Sequence, residues 1–217
     1  MKPVNSLNEE FFEQIDSEEK AYWLGFLLAD GGVSRNQLTV SLAIEDGLHV
    51  EKLRSALGSD APLKRITFNN AWKSKDQIRL VIKRKAMAVR LAKWGIVPNK
   101  MLYGWVPELP RPLQRHFWRG VFDGDGYISI MVSRNEVGIG LCGNLKTMEA
   151  FVEFLGKTLG FRPTIHPIPK RDGGDPVCFR IVISGKAKPI SVLRVLYGAS
   201  TLYLDRKARK VHQLGVQ

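Results

Sequence analysis

The residues Gln37-Leu38-Thr39-Val40-Ser41-Leu42-Ala43-Ile44 alternate between polar and apolar, the two-residue period of a strand with one buried face. Ile78, Leu80 and Ile82 alternate in the same way with Gln77, Arg79 and Lys83, although Val81 falls on the polar side. Arg65, Thr67 and Asn69 flank Ile66 and Phe68, and Arg180, Val182 and Ser184 flank Ile181 and Ile183. Helical spacing takes over at His49–Leu57 and Lys85–Trp94. The first part of the chain therefore reads as strands at Gln37–Ile44, Leu63–Phe68 and Gln77–Lys83, with one helix after the first strand and another after the third. The second part gives strands at Tyr127–Ser133, Val137–Leu141, Pro163–Ile168 and Val177–Ser184, with helices at Leu145–Leu159 and Lys188–Tyr197.

The two parts share more than a pattern. Residues 22–34 read YWLGFLLADGGVS and residues 117–129 read FWRGVFDGDGYIS, so that Gly25, Asp30 and Gly31 answer Gly120, Asp125 and Gly126. Each half is then helix, hairpin, helix, hairpin, helix. This predicts an α+β fold of two tandem αββαββα repeats about a pseudo-two-fold axis, with antiparallel sheets on one side and helices on the other. Four prolines in Ile96–Pro112 mark the junction. The divisions expected are an acidic extension at 1–19, repeats at 20–98 and 113–217, and a linker at 99–112. Trp94, Tyr103 and Trp105 are expected to anchor that linker, and Phe151, Phe154 and Leu155 to face the core.

Charge narrows the class of partner. Among 217 residues there are 33 Lys and Arg against 21 Asp and Glu, a formal net charge of +12. Glu9, Glu10, Glu13, Asp16, Glu18 and Glu19 crowd into the first twenty residues, so the remainder is more basic still. Such an excess suits a polyanion, because each cation set on a phosphate releases condensed counterions. No apolar run is long enough for a membrane span, and the start of the chain lacks an apolar signal core, so an intracellular protein is expected. Cys142 and Cys178 form no CxxC pair and are expected to be buried thiols. His49, His116, His166 and His212 are scattered, which argues against a histidine-based metal centre.

The repeated segment carries the chemistry. Trp23–Ala29 is apolar all round, which predicts a helix buried on more than one side. Glycine inside a helix costs about 1 kcal/mol relative to alanine, so Gly25 and Gly120 call for a close approach of two helices. Each helix should end at an Asp-Gly pair, with Gly31 and Gly126 in left-handed turns. Asp30 and Asp125 would then lie at negative dipole ends and repel one another, and a divalent cation held by oxygen ligands relieves both strains.

At these residues the chain resembles the single-chain, two-repeat LAGLIDADG homing endonucleases, from about Lys20 to the C-terminus. Trp23–Gly31 and Trp118–Gly126 occupy the nine motif positions. Leu28 departs from the usual acid at the sixth position, which Asp123 keeps in the second copy. The resemblance implies a site-specific endonuclease that cuts both strands of a long, non-palindromic duplex and leaves short 3′ overhangs. It implies Mg²⁺ at Asp30 and Asp125 with the carbonyls of Ala29 and Gly124, Mn²⁺ or Ca²⁺ being substitutes in binding. It also implies Lys100 and Lys207 as catalytic lysines after each repeat, and Glu45 and Asn144 as polar residues near the metals.

Base and phosphate contacts are expected from the polar sheet faces and hairpins. They comprise Arg35, Gln37, Thr39, Ser41, Arg65, Thr67, Asn69, Gln77, Arg79 and Lys83 in the first repeat. In the second they comprise Ser129, Ser133, Arg134, Lys170, Arg171, Arg180 and Ser184. The run Arg206–Lys210 reads either as a backbone-contacting tail or as a solvated end. A monomer is expected, with double-stranded DNA as partner. An intron RNA maturase and a non-cleaving DNA-binding regulator stay open as alternatives on the same fold. An intein-borne nuclease is disfavoured, because no His-Asn dipeptide is present and the chain reads as free-standing.

Overall fold

The computed structural model describes residues 6–34, 36–68, 75–134, 136–170 and 172–216. The first repeat comprises α1 (Glu18–Asp30), β1 (Gly31–Ser34), β2 (Gln37–Ala43), α2 (Gly47–Ala56), β3 (Lys64–Ile66), β4 (Gln77–Ile82) and α3 (Lys85–Lys93). A short helix α4 (Lys100–Tyr103) lies in the linker. The second repeat comprises α5 (Arg111–Asp125), β5 (Gly126–Met131), β6 (Glu136–Gly143), α6 (Leu145–Leu159), β7 (Ile165–Ile168), β8 (Cys178–Gly185) and α7 (Ala187–Tyr197), followed by α8 (Asp205–Gln213). Both sheets are four-stranded and antiparallel, ordered β1-β2-β4-β3 and β5-β6-β8-β7. The expected α+β fold of two αββαββα repeats is the fold observed.

In each sheet the alternation sends one face into the core. Leu38, Val40 and Leu42 of β2 and Val137, Ile139 and Leu141 of β6 are buried. The helices supply the other side of that core, with α1 buried from Ala21 to Leu28 and α6 through Met148, Phe151, Phe154 and Leu155. One hydrophobic cluster runs through both halves.

Three features depart from expectation. The N-terminal segment is part of the core: Phe11, Phe12 and Ile15 are buried, and Trp94 Nε1 donates to the Phe12 carbonyl at 2.7 Å. The linker is less tightly anchored than its aromatics suggest, since Tyr103 is 64% and Trp105 40% exposed. The basic run after Leu204 is a helix. Its buried stripe is Leu204, Lys207, Ala208 and Val211, and a lysine inside that stripe hides the amphipathic spacing.

Among the described residues no helix is long and apolar enough to cross a membrane.

Candidate metal and nucleic-acid site

The site begins with α1 and α5 lying against each other at two glycines. A Cβ on Gly25 would collide with the Phe117 carbonyl, and one on Gly120 with the Tyr22 carbonyl. The contact is reciprocal and made by main chain, which is the reason for glycine in both helices. Ser17 caps α1, its side chain accepting from the Lys20 amide at 3.3 Å, and Asp30 and Asp125 are the last residues of the two helices.

Gly31 and Gly126 do not adopt the expected left-handed turn. Their φ values are −75° and −89°, and each opens a strand directly. Glycine is required there by space: a Cβ would come within 2.6 Å of the Leu27 carbonyl oxygen in one copy and of the Phe122 carbonyl oxygen in the other.

The Asp30 carboxylate reaches across the seam to the end of α5, one residue from Asp125. A Cβ on Gly124 would stand 3.3 Å from Asp30 Oδ2. Asp30 is half-buried and Asp125 more open. The protein mass beneath them penalises the charged forms. Burial raises Asp30, opposed by Lys100 and Lys207, while burial together with the neighbouring Asp30 lifts Asp125 to about 6.

Behind each acid sits a lysine that closes the helix end. Lys100 Nζ donates to the carbonyls of Leu27 (3.0 Å), Ala29 (2.5 Å) and Gly31 (2.5 Å). Lys207 Nζ donates to those of Phe122 (2.5 Å), Asp123 (2.7 Å) and Gly124 (3.5 Å). An ammonium at a helix C-terminus satisfies orphan carbonyls and opposes the macrodipole. Burial lowers both lysines to about 8, against the pull of the nearby carboxylates.

This donor set fits a hard divalent cation. It offers two carboxylates whose charged forms are penalised and call for positive charge, and carbonyl oxygens that keep a second lone pair beside the lysine contact. No cluster of three or more His, Cys, Asp and Glu that could hold a metal occurs among the described residues, so remaining ligands would be solvent or phosphate.

Asn144 caps α6, accepting from the Thr147 amide at 2.8 Å, and its Nδ2 donates to the Lys100 carbonyl at 3.1 Å. With Lys100, Asp125, Ala29 and Met101 it lines a cavity of about 140 Å³. Glu45 lies farther out, in an ion pair with Lys75 at 2.9 Å, and lines a second cavity of about 340 Å³ with Asp46 and Arg206.

The open sheet faces carry most of the polar residues picked from alternation. In the first sheet the register puts Thr39 opposite Val81, Ser41 opposite Arg79 and Ala43 opposite Gln77, all on the uncovered face. Arg79 Nε donates to Ser41 Oγ at 2.8 Å. Gln37 begins this row, and Lys83 lies exposed just beyond β4. In the second sheet Ser129, Arg180 and Ser184 share the open face, while Ser133, Arg134 and Lys170 are exposed in the connections.

Arg65 departs from this row. It pairs with Ile78, whose strand partner is the buried Leu42, and so belongs to the helix-covered face, where it bridges to Asp76 at 2.6 Å. The short edge strand β3 instead sets Lys64 and Ile66 beside Arg79 and Gln77 on the open face. Thr67 is exposed past the end of that strand. Arg35, Asn69 and Arg171 lie outside the described residues.

Alternation missed Tyr127 and His166, which the register places on the open face with Gly140 and Arg180. Tyr127 was within reach of the sequence, two residues before Ser129 on the same side. The cysteines are corrected too: Cys142 and Cys178 are half-exposed free thiols, and Cys142 lies opposite Arg180 on the open face.

A second missed feature lies beneath the seam. Asp123 is fully buried and accepts from Tyr22 Oη (2.7 Å), Tyr197 Oη (2.5 Å) and the Leu204 amide (2.8 Å). Arg119, also fully buried, donates to the carbonyls of Leu202 and Leu196 and to Glu18 at 2.8, 3.0 and 2.7 Å. Only a helix already known to be interior would have marked these charges as buried.

Residues 112–189 match the family model described as a LAGLIDADG-like domain. No curated protein matches the sequence. Among solved structures the chain is similar to the I-LtrWI LAGLIDADG homing endonuclease bound to target DNA. Identity is 10% and the TM-score 0.55, over 96% of this chain and 90% of that one. The N-terminal LAGLIDADG domain of DUF199/WhiA aligns at 17% identity and TM-score 0.56, covering 95% of this chain and 97% of that domain. A variant of I-DmoI, in complex with its nicked target DNA in the presence of Mn, aligns at 15% identity and TM-score 0.54, over 89% and 99%. The chain thus resembles LAGLIDADG homing endonucleases and has their fold.

Proposed function

We propose that this chain is a divalent-metal-dependent endonuclease that cuts both strands of a long, non-palindromic DNA duplex, in the manner of a homing endonuclease. The observation that carries the reading is the approach of Asp30 to the end of α5 that carries Asp125, each acid backed by a lysine bound to the carbonyls of its own helix end. The DNA-bound relatives on the same fold support it.

In this reading Asp30 and Asp125 would each hold a cation, with the Ala29 and Gly124 carbonyls as further oxygen donors. A cation held there, Mg²⁺ or a substitute such as Mn²⁺, would supply a more nucleophilic water and would stabilise charge on the leaving oxygen. Lys100 and Lys207 stand next to the acids and neutralise charge that grows at phosphorus. Asn144 and Glu45 flank the two halves. One acid in each half corresponds to one cut in each strand, leaving short 3′ overhangs. The open sheet faces, with Thr39, Ser41, Gln77, Arg79, Ser129, Arg180 and Ser184, read the flanking grooves. The halves differ in sequence, so one chain acts as a monomer on an asymmetric target.

The test is a selection of cleaved molecules from a randomised duplex library with Mg²⁺. Recovery of one long site cut in both strands supports the reading. Binding without cutting favours a regulator, and preferential capture of structured RNA favours a maturase; either result overturns it.

A further inference from the structure

The two lysines are held by different means. Lys207 follows Leu204, which caps α8 with its carbonyl accepting the amides of Lys207 and Ala208 at 2.9 and 3.1 Å. The Leu204 amide is fixed in turn by Asp123 Oδ2. Asp123 is itself locked by Tyr22 of α1 and Tyr197 of α7, and His49 Nε2 lies 2.9 Å from the Tyr22 hydroxyl. Since that hydroxyl donates to Asp123, His49 donates to it. A buried chain of hydrogen bonds thus runs from α2 through α1 and α5 to the first turn of α8.

Among the described residues the first repeat has no such chain. The position that answers Asp123 is Leu28 and the one that answers Tyr22 is Phe117, both apolar and buried. Lys100 sits instead on the four-residue α4 after Asn99, whose φ is +53°, and is secured from the opposite repeat by Asn144. An unpaired buried carboxylate is costly, so Asp123 remains in place only with its three donors engaged.

We propose that Asp123 is a positioning residue for Lys207 alone, so that the two halves of the site can be disabled separately. The inference rests on the endonuclease reading and deepens it. Asp123 does not touch the substrate; its side chain sets where α8 begins and therefore where Nζ of Lys207 reaches.

The experiment uses a duplex recovered with the wild-type protein, labelled on one strand or the other, with single-turnover rates measured for each strand. Lys207→Ala defines the strand served by the second half. Asp123→Asn keeps the volume but loses one accepting oxygen. It is expected to slow that same strand tenfold or more and to leave the other within twofold. In a Lys207→Ala background it should add less than twofold, the mark of two residues acting through one path. Equal slowing of both strands, no slowing, or independent effects in the double variant would overturn the assignment.

If Asp123→Asn does not fold by near-ultraviolet circular dichroism, Tyr197→Phe removes one donor conservatively. It should give the same one-strand loss at smaller size, and no loss or an equal loss on both strands overturns the proposal. A wild type that cuts neither strand overturns the endonuclease reading and this proposal with it. A wild type that cuts both, with Asp123→Asn slowing both equally, overturns only the role of Asp123.

Discussion

The carboxylate of Asp30 lies against the main chain of Gly124, so closely that a Cβ there would stand 3.3 Å from Asp30 Oδ2 and overlap the Cβ of Ala29. Gly124→Ala should therefore push the two helix ends apart at the level of the acids. Overpacking of this kind costs about 1–3 kcal/mol, read as a lower urea midpoint. Cleavage should fall more than the affinity for DNA, and an unchanged cleavage rate would show that the acids need not be this close.

Asp30→Asn and Asp125→Asn keep shape and remove charge. Each is expected to reduce cleavage by about a hundredfold or more, the scale on which losing one transition-state electrostatic contact is felt. Gel-shift affinity for the selected duplex in Ca²⁺ should change little. Undiminished cutting by either variant would take that residue out of the site.

The carboxyl of Asp125, lifted from 3.8 to about 6, gives a pH signature. In the metal-free protein the native state keeps this proton after the unfolded chain has lost it, so the group lowers stability as pH rises between those values and has no further effect above them. Cation binding needs the carboxylate. Calorimetric Mn²⁺ affinity should rise about tenfold per pH unit up to about pH 6, one proton being displaced, and flatten above. A flat profile from about pH 5 upward would contradict this.

Arg119 binds two carbonyls and Glu18 from a fully buried position. Replacing it with leucine strands those acceptors, and breaking a buried pair costs about 3–5 kcal/mol; Glu18 is partly exposed, which places the expectation at the lower end. Chemical denaturation measures it. A loss under about 1 kcal/mol would mean that the guanidinium is replaceable packing.

Binding to the selected duplex should weaken steeply with salt. If several of the basic and polar residues on the open faces meet phosphates, log affinity falls linearly with log salt at about −0.9 per contact. Replacing Lys83 or Arg134 with alanine should reduce that slope by about one unit each, as measured by fluorescence anisotropy.

Much of this arrangement was legible in the chain. The repeated Gly-Asp spacing exposed the seam, because only a main-chain contact explains glycine within an apolar helix. Alternation gave the strands but not their register. Arg65 was misplaced because β3 has only three residues, so its pairing with β4, rather than its own pattern, decides which side it faces. The helix carrying Lys207 escaped notice since its buried stripe contains that lysine. Asp123 stood out only as a motif acid and Arg119 looked like an ordinary polar position; the packing of α1, α5 and α7 shows both sealed from water.

The reciprocal contact of Gly25 and Gly120 has a wider consequence. Carbonyl oxygens occupy the volume where side chains would otherwise stand, so no larger residue at either glycine fits without prising the helices apart. The gap between the two acids is gauged by backbone thickness, a quantity that point mutation scarcely alters. Under the proposed function, the sheets are free to drift toward new target sequences while the stagger of the two cuts stays constant.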